Sequence, residues 1–408
     1  MNGDPRVVVV GAGAMGRITV KDLFETARGF RIVVADYDRS AAHKLARSFA
    51  SPRVRAAQVD VTDVAATTRL LKGAFAVVNA VQYQHNVPVM KAALAAGAHY
   101  TDLGGLFHVT RKQLEWHARF RKKGLLALLG MGAAPGTTNL LARDAADRMD
   151  EVHEIHVQVG GVDLAAASGS SPMGSSYSIQ TILEEASRPA AVFTGGRFRF
   201  VPPMSGVKDV LFPDPVGLRR PALTIHSEVA TLPLAYRRKG LRECTFAIAF
   251  EEELTDRLRF LRAIGVNSLE PVEVGRKKVV PQEVLLALLR RMPKPSASTE
   301  PPKQYEVIRA VVRGVMGGHA VEETIDCHVT GMPGWGFGID VDTGCPPSIA
   351  VQMIAAGEIT ARGVLAPERA VPCEPYFAQL SRRGMTVRRP ERSAATVRSA
   401  RFETVGPN

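Results

Sequence analysis

Three glycines near the start of the chain have a spacing that suits phosphate binding. Gly11, Gly13 and Gly16 follow the apolar run "RVVVV" in the frame G-x-G-x-x-G, and "AMGRITVKDLF" continues with helical spacing. In a strand–turn–helix unit, the first glycine permits a tight turn and the second lets the backbone approach a pyrophosphate. The third glycine allows the helix and strand to pack closely. Because the helix N-terminus also presents N–H groups to phosphates, the stretch predicts a dinucleotide site.

An acidic residue follows at the distance that this kind of site requires. Asp36 ends the next predicted strand, "RIVVAD", about twenty residues after Gly16. A carboxylate there binds the adenosine ribose hydroxyls and repels a 2′-phosphate, so the expected cofactor is NAD. Arg39 lies close enough to accommodate that phosphate, which leaves NADP open as the alternative.

Further residues of the nucleotide site are predicted from their places at strand ends. Ala14 and Met15 complete the glycine loop, and Asp60, at the end of the third predicted strand, could face the adenine. Asn79 and Ala80 end the fourth predicted strand, near the point where the nicotinamide should lie. Simply ending a buried strand is an equal alternative for these last two residues.

The elements that would position these residues alternate between strand-like and helix-like segments. This alternation predicts a Rossmann-type, doubly wound parallel sheet whose two faces are covered by helices. Strands are predicted at 7–10, 31–36, 54–60, 75–81, 99–105 (with its turn) and 125–130, and helices at 15–26, 40–49, 86–97 and 110–122.

The pattern changes after residue 134. Alternating apolar residues at 151–161 and 243–250 predict half-buried strands, and 305–329 predicts a hairpin that turns at Gly317–Gly318. These segments predict an inserted α+β domain with a mainly antiparallel sheet. We expect a nucleotide domain at 1–134, a substrate and dimerisation domain at 135–344, a helical segment at 345–386 that packs back on the first domain, and a flexible tail at 387–408.

Several longer segments resemble the saccharopine dehydrogenase and lysine 6-dehydrogenase family. They include "VVNAVQYQHNVPVMKAALAAGAHYTDLGG", "GMGAAPGTTNLLA" and "TGCPPSIAVQMIAAGEITARGVLAPE". The resemblance implies NAD(P)-linked chemistry at a carbon–nitrogen bond of a lysine-type amino acid. Oxidative deamination of lysine is the first expectation, and a saccharopine-forming or saccharopine-splitting reaction is the alternative. A non-catalytic NAD(P)-binding regulator on the same fold is the alternative from another class.

Such a reaction needs an acid or base close to the nitrogen. His85, just past the fourth predicted strand, is the first candidate because its ordinary pKa suits proton transfer, although capping a loop is the commoner role. Tyr83 beside it could orient the substrate or merely pack. Asp102 ends the fifth predicted strand and could bind the substrate amine or the nicotinamide ribose, with capping a turn as an equal alternative.

Candidate substrate-binding residues lie further along the chain. Gly104 follows Asp102, and the segment Pro135, Gly136, Thr137, Thr138, Asn139 opens a helix whose N–H groups could receive a carboxylate, or be capped in the ordinary way. His226 and Glu228, in "HSEVATLP", are candidates in the second domain, although a surface strand is the favoured interpretation of both. This segment departs from the pattern expected of lysine dehydrogenases, so it bears on substrate identity.

Composition limits the other functions. The 408 residues carry a formal net charge of +12, but the excess is diffuse and no nucleic-acid-binding motif occurs, so no nucleic-acid partner is predicted. No apolar run reaches membrane-spanning length and no signal-type N-terminus is present, which predicts a cytoplasmic enzyme with no membrane partner. Four cysteines without C-x-x-C spacing predict no metal site. A homodimer that binds a small amino-acid substrate is expected.

Overall fold

Two large β-sheets organise the protein, and helices pack on their faces. The computed structural model describes residues 4–164, 179–291 and 303–389. The predicted loop at 165–176 lies outside these residues, as do nearly all of a proline-rich segment at 291–303 and the predicted tail beyond residue 389. Within the described residues, no helix combines the length and apolar character needed to cross a bilayer.

The first sheet confirms the predicted Rossmann-type arrangement. Its first six strands run parallel in the order β6-β5-β4-β1-β2-β3, so the order reverses between β1 and β4. Ligands bind in the crevice beyond the carboxyl ends of the strands at such a reversal. The elements are β1 (Arg6–Val10), α1 (Ala14–Thr26), β2 (Arg31–Asp36), α2 (Arg39–Arg47), β3 (Val54–Gln58), α3 (Val64–Leu71), β4 (Ala76–Asn79), α4 (Asn86–Ala96), β5 (His99–Asp102), α5 (Leu106–Leu114), α6 (His117–Lys122) and β6 (Leu126–Leu128).

Some predicted boundaries in this domain were wrong. β3 ends at Gln58, so Asp60 lies in the turn that follows, where its carboxylate accepts a hydrogen bond from Thr62 N at 2.9 Å. The single helix predicted at 110–122 is two helices, α5 and α6, which are separated by a turn at residues 115–116. These differences are local, since the strands and their order are unaffected.

The second sheet has eight strands and confirms the predicted α+β domain. β16 and β17 form the predicted hairpin around Gly317–Gly318, and β7 pairs antiparallel with β16 but parallel with β13. The elements before the last segment are α7 (Thr137–Arg148), β7 (Glu151–Asp163), α8 (Ile179–Glu185), β8 (Ala190–Thr194), β9 (Arg197–Val201), β10 (Val210–Leu211), β11 (Leu218–Arg219), β12 (Ala222–Leu223), α9 (Glu228–Tyr236), β13 (Glu243–Ala249), α10 (Glu252–Ala263), β14 (Val272–Val274), β15 (Lys277–Val279), α11 (Pro281–Arg291), β16 (Gln304–Met316) and β17 (His319–Val329).

The last described segment returns to the first domain, as predicted, and also adds a strand to each sheet. It contains α12 (Val341–Gly344), α13 (Pro346–Ala355), β18 (Gly363–Leu365), α14 (Cys373–Ser381) and β19 (Met385–Arg388). β18 pairs parallel with β6 and completes a seven-stranded nucleotide sheet, whereas β19 pairs with β17 of the second sheet. The sequence pattern predicted only the helix of this segment.

A buried ion pair fastens the end of this segment to α1. Arg383 Nε lies 2.5 Å from Asp22 Oδ1, and both side chains are almost fully buried. Ser348 Oγ, on α13, also donates to Asp22 Oδ2 at 2.5 Å. Removing one member of a buried pair typically costs about 3–5 kcal/mol, because the other charge stays buried without its partner. The helix that follows the glycine loop is therefore held by residues from the far end of the chain.

Candidate active site

The glycine loop closes tightly between β1 and α1. Gly11 has φ +102°, and a Cβ there would lie 2.7 Å from the carbonyl oxygen of Ala80. A Cβ on Gly16 would lie 1.8 Å from the carbonyl oxygen of Gly11. Any side chain at either position would push the loop away from β4 or from the first turn of α1. The first and third glycines of the motif are thus required by packing.

The second glycine has a different surrounding. A Cβ on Gly13 would meet nothing within 4 Å, and Gly13 lines a cavity between the glycine loop and the second sheet. Gly13 is also the N-cap residue of α1, whose first turn carries no acidic side chain. Open space beside a helix N-terminus suits the close approach of an anionic pyrophosphate. These residues fit the pyrophosphate of a dinucleotide.

Asp36 lies at the end of β2, beside the glycine loop, and lines the same cavity. Its carboxylate accepts hydrogen bonds from Ala12 N at 2.7 Å and from Asp38 N at 2.9 Å. It thus holds the loop and faces the place where a ribose would lie. Ala14, Arg39 and Asp60 do not line the cavity, whereas Met15 and Ala80 do.

A cavity of about 440 Å³ extends from the glycine loop to the second sheet. The first domain contributes what we call the nucleotide lining, which consists of Gly11, Gly13, Met15, Asp36 and Ala80. Strands β7, β13 and β16 contribute Val159, Phe246, Ile248 and Glu306. A ligand bound at the strand-order reversal therefore reaches side chains of both sheets.

Four carboxyl groups, from α8, β16 and the start of α12, form the acidic lining of this cavity: Glu185, Glu306, Asp340 and Asp342. Burial raises the pKa of Glu306 and of Asp342, and the repulsion between the two carboxylates raises the pKa of Asp342 further. They share a hydrogen bond, so the pair holds a proton more firmly than two exposed carboxyls would. In the described part of the chain, no Lys or Arg lines the cavity. The lining therefore favours a cationic ligand.

His226 is the basic side chain in this cavity. Its ring stacks on Phe246 with the centroids 3.7 Å apart, its Nδ1 is hydrogen-bonded to Glu228, and its Nε2 lies 3.7 Å from Glu185 Oε1. Burial by itself lowers the pKa of His226, but the carboxylates of Glu228 and Glu185 outweigh burial, so the pKa is raised. The favoured interpretation of a surface strand was wrong, because His226 is buried and Glu228 begins α9.

Asp102 is not placed to contact a substrate. Its fully buried carboxylate accepts hydrogen bonds from four groups and does not line the cavity. The donors are Gln113 Nε2 (2.6 Å), Gly130 N (2.7 Å), Tyr100 Oη (2.8 Å) and Gly104 N (3.0 Å). We therefore correct its predicted catalytic role: Asp102 fixes the turn after β5. Asn79 is also buried off the cavity, with its Nδ2 donating to Asn86 Oδ1 at 2.8 Å.

The two candidate site residues after β4, His85 and Tyr83, differ in whether they reach the cavity. His85 is half-buried in a 3₁₀ turn at Tyr83–His85, and it does not line the cavity. Tyr83 does line it, and its hydroxyl donates to Glu184. Burial and this carboxylate raise the pKa of the Tyr83 phenol. His85 is therefore poorly placed for proton transfer in the cavity.

The predicted carboxylate site at the start of α7 is also corrected. Gly104 and Pro135 line the cavity, but Gly136, Thr137 and Asn139 do not. The N–H groups of this turn are satisfied internally, since Gly136 N donates to Asn139 Oδ1 at 3.0 Å and Thr137 N to the carbonyl of Gly132 at 2.9 Å. The helix start therefore packs inside the protein and presents Pro135 to the ligand.

Sequence reasoning missed the acidic lining. Its members come from α8, β16 and the start of α12, and only Asp340 and Asp342 are close in sequence. The short spacing in "GIDVDTG", just before a helix, was the one local signal. The remaining members become neighbours only when the two sheets face each other.

Comparison with known proteins agrees with this arrangement. The family model described as saccharopine dehydrogenase NADP binding domain matches residues 7–128, and the saccharopine dehydrogenase C-terminal domain matches residues 132–385. The chain is 26% identical over 393 residues to a carboxyaminopropylagmatine dehydrogenase of Synechocystis, which covers 93% of this chain and 96% of that protein. It is 24% identical over 353 residues to a carboxynorspermidine synthase of Vibrio cholerae, with 82% of each chain covered.

A solved structure shares the fold. The apo saccharopine dehydrogenase (L-Glu forming) of Saccharomyces cerevisiae superposes with a TM-score of 0.70 at 16% identity, over 95% of this chain and 100% of that chain. The C-terminal family model alone spans more than half of the 408 residues. The protein therefore belongs to the saccharopine dehydrogenase family, and it is an oxidoreductase that binds NAD(P).

Proposed function

We propose that the enzyme forms or cleaves a carbon–nitrogen bond in a polyamine-type substrate with several cationic nitrogens. The observation that carries this proposal is the acidic lining, in which Glu185, Glu306, Asp340 and Asp342 face the same cavity as the glycine loop. When bound, the nicotinamide would supply or accept a hydride. The acidic lining would attract and orient the cationic arms of the substrate beside it.

The charge balance of the cavity separates this substrate class from a simple amino acid. Lysine carries one carboxylate and two ammonium groups, one on the α-carbon and one on the side chain, and its carboxylate would need a cationic partner. The cavity lining offers His226 but, within the described residues, no arginine or lysine. A carboxylated polyamine adds further cationic nitrogens to one carboxylate, so more of its charge is complementary to the acidic lining. The printed names of the two curated relatives, a carboxyaminopropylagmatine dehydrogenase and a carboxynorspermidine synthase, describe molecules of that class.

Lysine and saccharopine remain competing substrates, because the family contains enzymes named for saccharopine. We also propose NAD over NADP, since Asp36 places a carboxylate beside the expected ribose. A homodimer in the cytoplasm remains a prediction from the sequence, and light scattering of the purified protein would test the dimer.

The direct test is a substrate panel with purified enzyme. NAD(P)H absorbance is followed with carboxynorspermidine, saccharopine and lysine in the oxidative direction, each with NAD and with NADP. We expect carboxynorspermidine to exceed lysine and saccharopine by about tenfold or more in kcat/KM. Equal or faster turnover of lysine would overturn the proposed class. Tight NAD binding with no turnover of any member would favour the non-catalytic regulator.

A further inference from the structure

His226 lines the cavity from the second domain and is hydrogen-bonded to the buried carboxylate of Glu228. We propose that His226 is the catalytic proton donor and acceptor for the reacting nitrogen, and that Glu228 is a positioning residue that holds its ring. This inference rests on the proposed function, because it assigns a proton-transfer role at the same carbon–nitrogen bond. It replaces His85 as the acid–base candidate.

Two contacts fix the ring of His226. Nδ1 is hydrogen-bonded to Glu228, whose fully buried carboxylate also accepts from Thr138 Oγ1 at 2.8 Å. Phe246 lies parallel to the ring, with an interplanar angle of 8°. These contacts assign the Nδ1 proton to the side facing Glu228. Nε2 is left as the nitrogen that exchanges a proton in the cavity.

Nε2 points toward the cavity. Its nearest acidic neighbour, Glu185 Oε1, lies 3.7 Å away, which is beyond ordinary hydrogen-bonding distance. His226 and Glu185 both line the cavity. A substrate nitrogen that entered between the acidic lining and the nicotinamide end of the cavity would therefore meet Nε2. The adjacent carboxylate would stabilise the imidazolium and attract a cationic nitrogen.

The charged groups around His226 come from two helices. Glu228 begins α9 and Glu185 ends α8, while β13 contributes the uncharged ring of Phe246. Behind Glu228, the buried carboxyl of Glu368 and the Cys244 thiol interact with it electrostatically. Both carboxylates that face the imidazole favour its protonated form, which agrees with the raised pKa of His226. The surroundings of His226 therefore favour the form that can donate a proton.

The proton transfer balances in both directions. In reduction of a substrate iminium ion, a hydride adds to carbon, the C=N π electrons become the nitrogen lone pair, and His226 Nε2–H gives its proton to that amine nitrogen. In oxidation, neutral His226 first removes a proton from the substrate ammonium. The hydride then leaves carbon as the nitrogen lone pair forms the C=N bond. NAD(P)H or NAD(P)⁺ is the two-electron partner in each case.

Tyr83, whose hydroxyl also lies at the cavity, is a weaker proton source than His226. Its hydroxyl already donates to Glu184, and burial raises the pKa of the phenol further above neutrality. In the Glu306–Asp342 pair, a shared hydrogen bond already engages both carboxyl groups. His226 combines a fixed ring, a second ring nitrogen beside Glu185 and two neighbouring carboxylates that favour its protonated form.

The test compares three glutamine variants. His226→Gln should lower kcat by about a hundredfold or more while leaving NAD(P)H affinity unchanged. Glu228→Gln should lower kcat less and shift the pH profile: the reductive rate falls as His226 loses its proton, and that fall should move to lower pH. His156→Gln is the matched control. His156 also pairs with a glutamate, Glu154 at 3.1 Å, but it is outside the cavity lining, so kcat and the profile should not change.

A direct measurement of His226 gives a second result that does not depend on turnover. The ring resonances of isotope-labelled histidine are titrated by NMR, and the His226 signal is identified by its loss in His226→Gln. We expect this signal to titrate above ordinary histidine in the wild type and at lower pH in Glu228→Gln. An unmoved midpoint, or a kcat within about threefold of wild type in His226→Gln, would overturn the proposal.

These two measurements separate the inference from the proposed function. If every amine in the substrate panel fails but the NMR midpoint moves with Glu228→Gln, the substrate class is wrong and the histidine–carboxylate pair stands. If carboxynorspermidine is turned over normally by His226→Gln, the substrate class stands and the assignment of His226 is wrong.

Discussion

The nucleotide lining and the acidic lining of the cavity are built in different ways. The nucleotide lining comes mostly from one strand–turn–helix unit, in which Gly11, Gly13 and Met15 are neighbours in sequence. The acidic lining collects Glu185, Glu306 and residues of α12, which are distant in the chain. A local motif can specify the first lining, whereas only the packing of two domains can assemble the second. The cofactor site is therefore encoded more compactly than the substrate site.

The two linings also differ from the protein as a whole. The chain has a formal net charge of +12, yet the cavity lining carries five carboxyl groups once Asp36 is added to the acidic lining. Net charge describes the field around the molecule, and the few groups at the cavity determine the field inside it. The basic composition of the chain is consequently no guide to the charge of its substrate.

The largest effect is expected from the third glycine of the glycine loop, beside the nucleotide lining. Gly16→Ala places a Cβ 1.8 Å from the Gly11 carbonyl oxygen, which overpacks the loop and should abolish saturable NAD(P)H binding in a fluorescence titration. Gly13→Ala meets open space, so it should keep the wild-type Tm but lose about tenfold in cofactor affinity. Gly29→Ala, also in open space and away from the cavity, is the control. Normal binding by Gly16→Ala would show that the loop is not the cofactor site.

The acidic lining should respond to loss of one carboxyl group. Asp342→Asn replaces one member of the Glu306–Asp342 pair with an amide that cannot carry the negative charge of the pair beside a cationic arm, so KM should rise about 10- to 100-fold with a smaller change in kcat. Because the pKa of Asp342 is raised in the folded protein, its stabilising contribution is present at low pH and is lost as pH rises through that pKa. The variant should therefore exceed the wild type in Tm at alkaline pH. A lower Tm there together with an unchanged KM would remove Asp342 from the substrate site.

A substitution at the adenosine end of the nucleotide lining should have a smaller effect, confined to the preference for NAD over NADP. Asp36→Asn keeps an oxygen that can accept from Ala12 N but removes the charge that repels a 2′-phosphate. We expect the ratio of kcat/KM for NAD to that for NADP to fall about tenfold. Discrimination identical to the wild type would mean that another group selects the cofactor.

The smallest effect is expected from a residue that belongs to neither lining. His85 does not line the cavity, so His85→Ala should keep kcat within about twofold of the wild type. The steady-state rate at saturating substrate measures this. A fall of about a hundredfold would return His85 to the catalytic site and would weaken the assignment of His226.

Sequence-based prediction succeeded for the glycine loop and its strands, and it was less successful where residues from several elements come together. Gly11, Gly16 and the β2 position of Asp36 were predictable because strand periodicity and glycine spacing are local properties. Asp102 was misjudged because a carboxylate at the end of a buried strand resembles a site residue. Its saturation by Gln113 of α5 and by the Gly130 backbone after β6 depends on tertiary packing.

The hairpin of the second domain was predictable from the sequence, but the roles of its side chains in the cavity were less so. Apolar residues alternate with polar ones in β16 and β17 because one face of each strand is buried, and this alternation is visible in the sequence itself. The role of His226 depends on Glu185, Phe246 and Glu228, which approach it from α8, β13 and α9. Contacts among three elements that are distant in the chain leave no periodic pattern in a single sequence.

The edge strand β18 and the Asp22–Arg383 ion pair bear on how the protein is made. A ribosome releases the N-terminal domain first, and domains generally fold as they emerge. Here β18, Ser348 and Arg383 are synthesised hundreds of residues after the β6 edge and the Asp22 carboxylate that they cover. The growing chain must therefore carry an unpaired strand edge until β18 has been synthesised. The domain that is synthesised first is completed only after most of the second domain has been made.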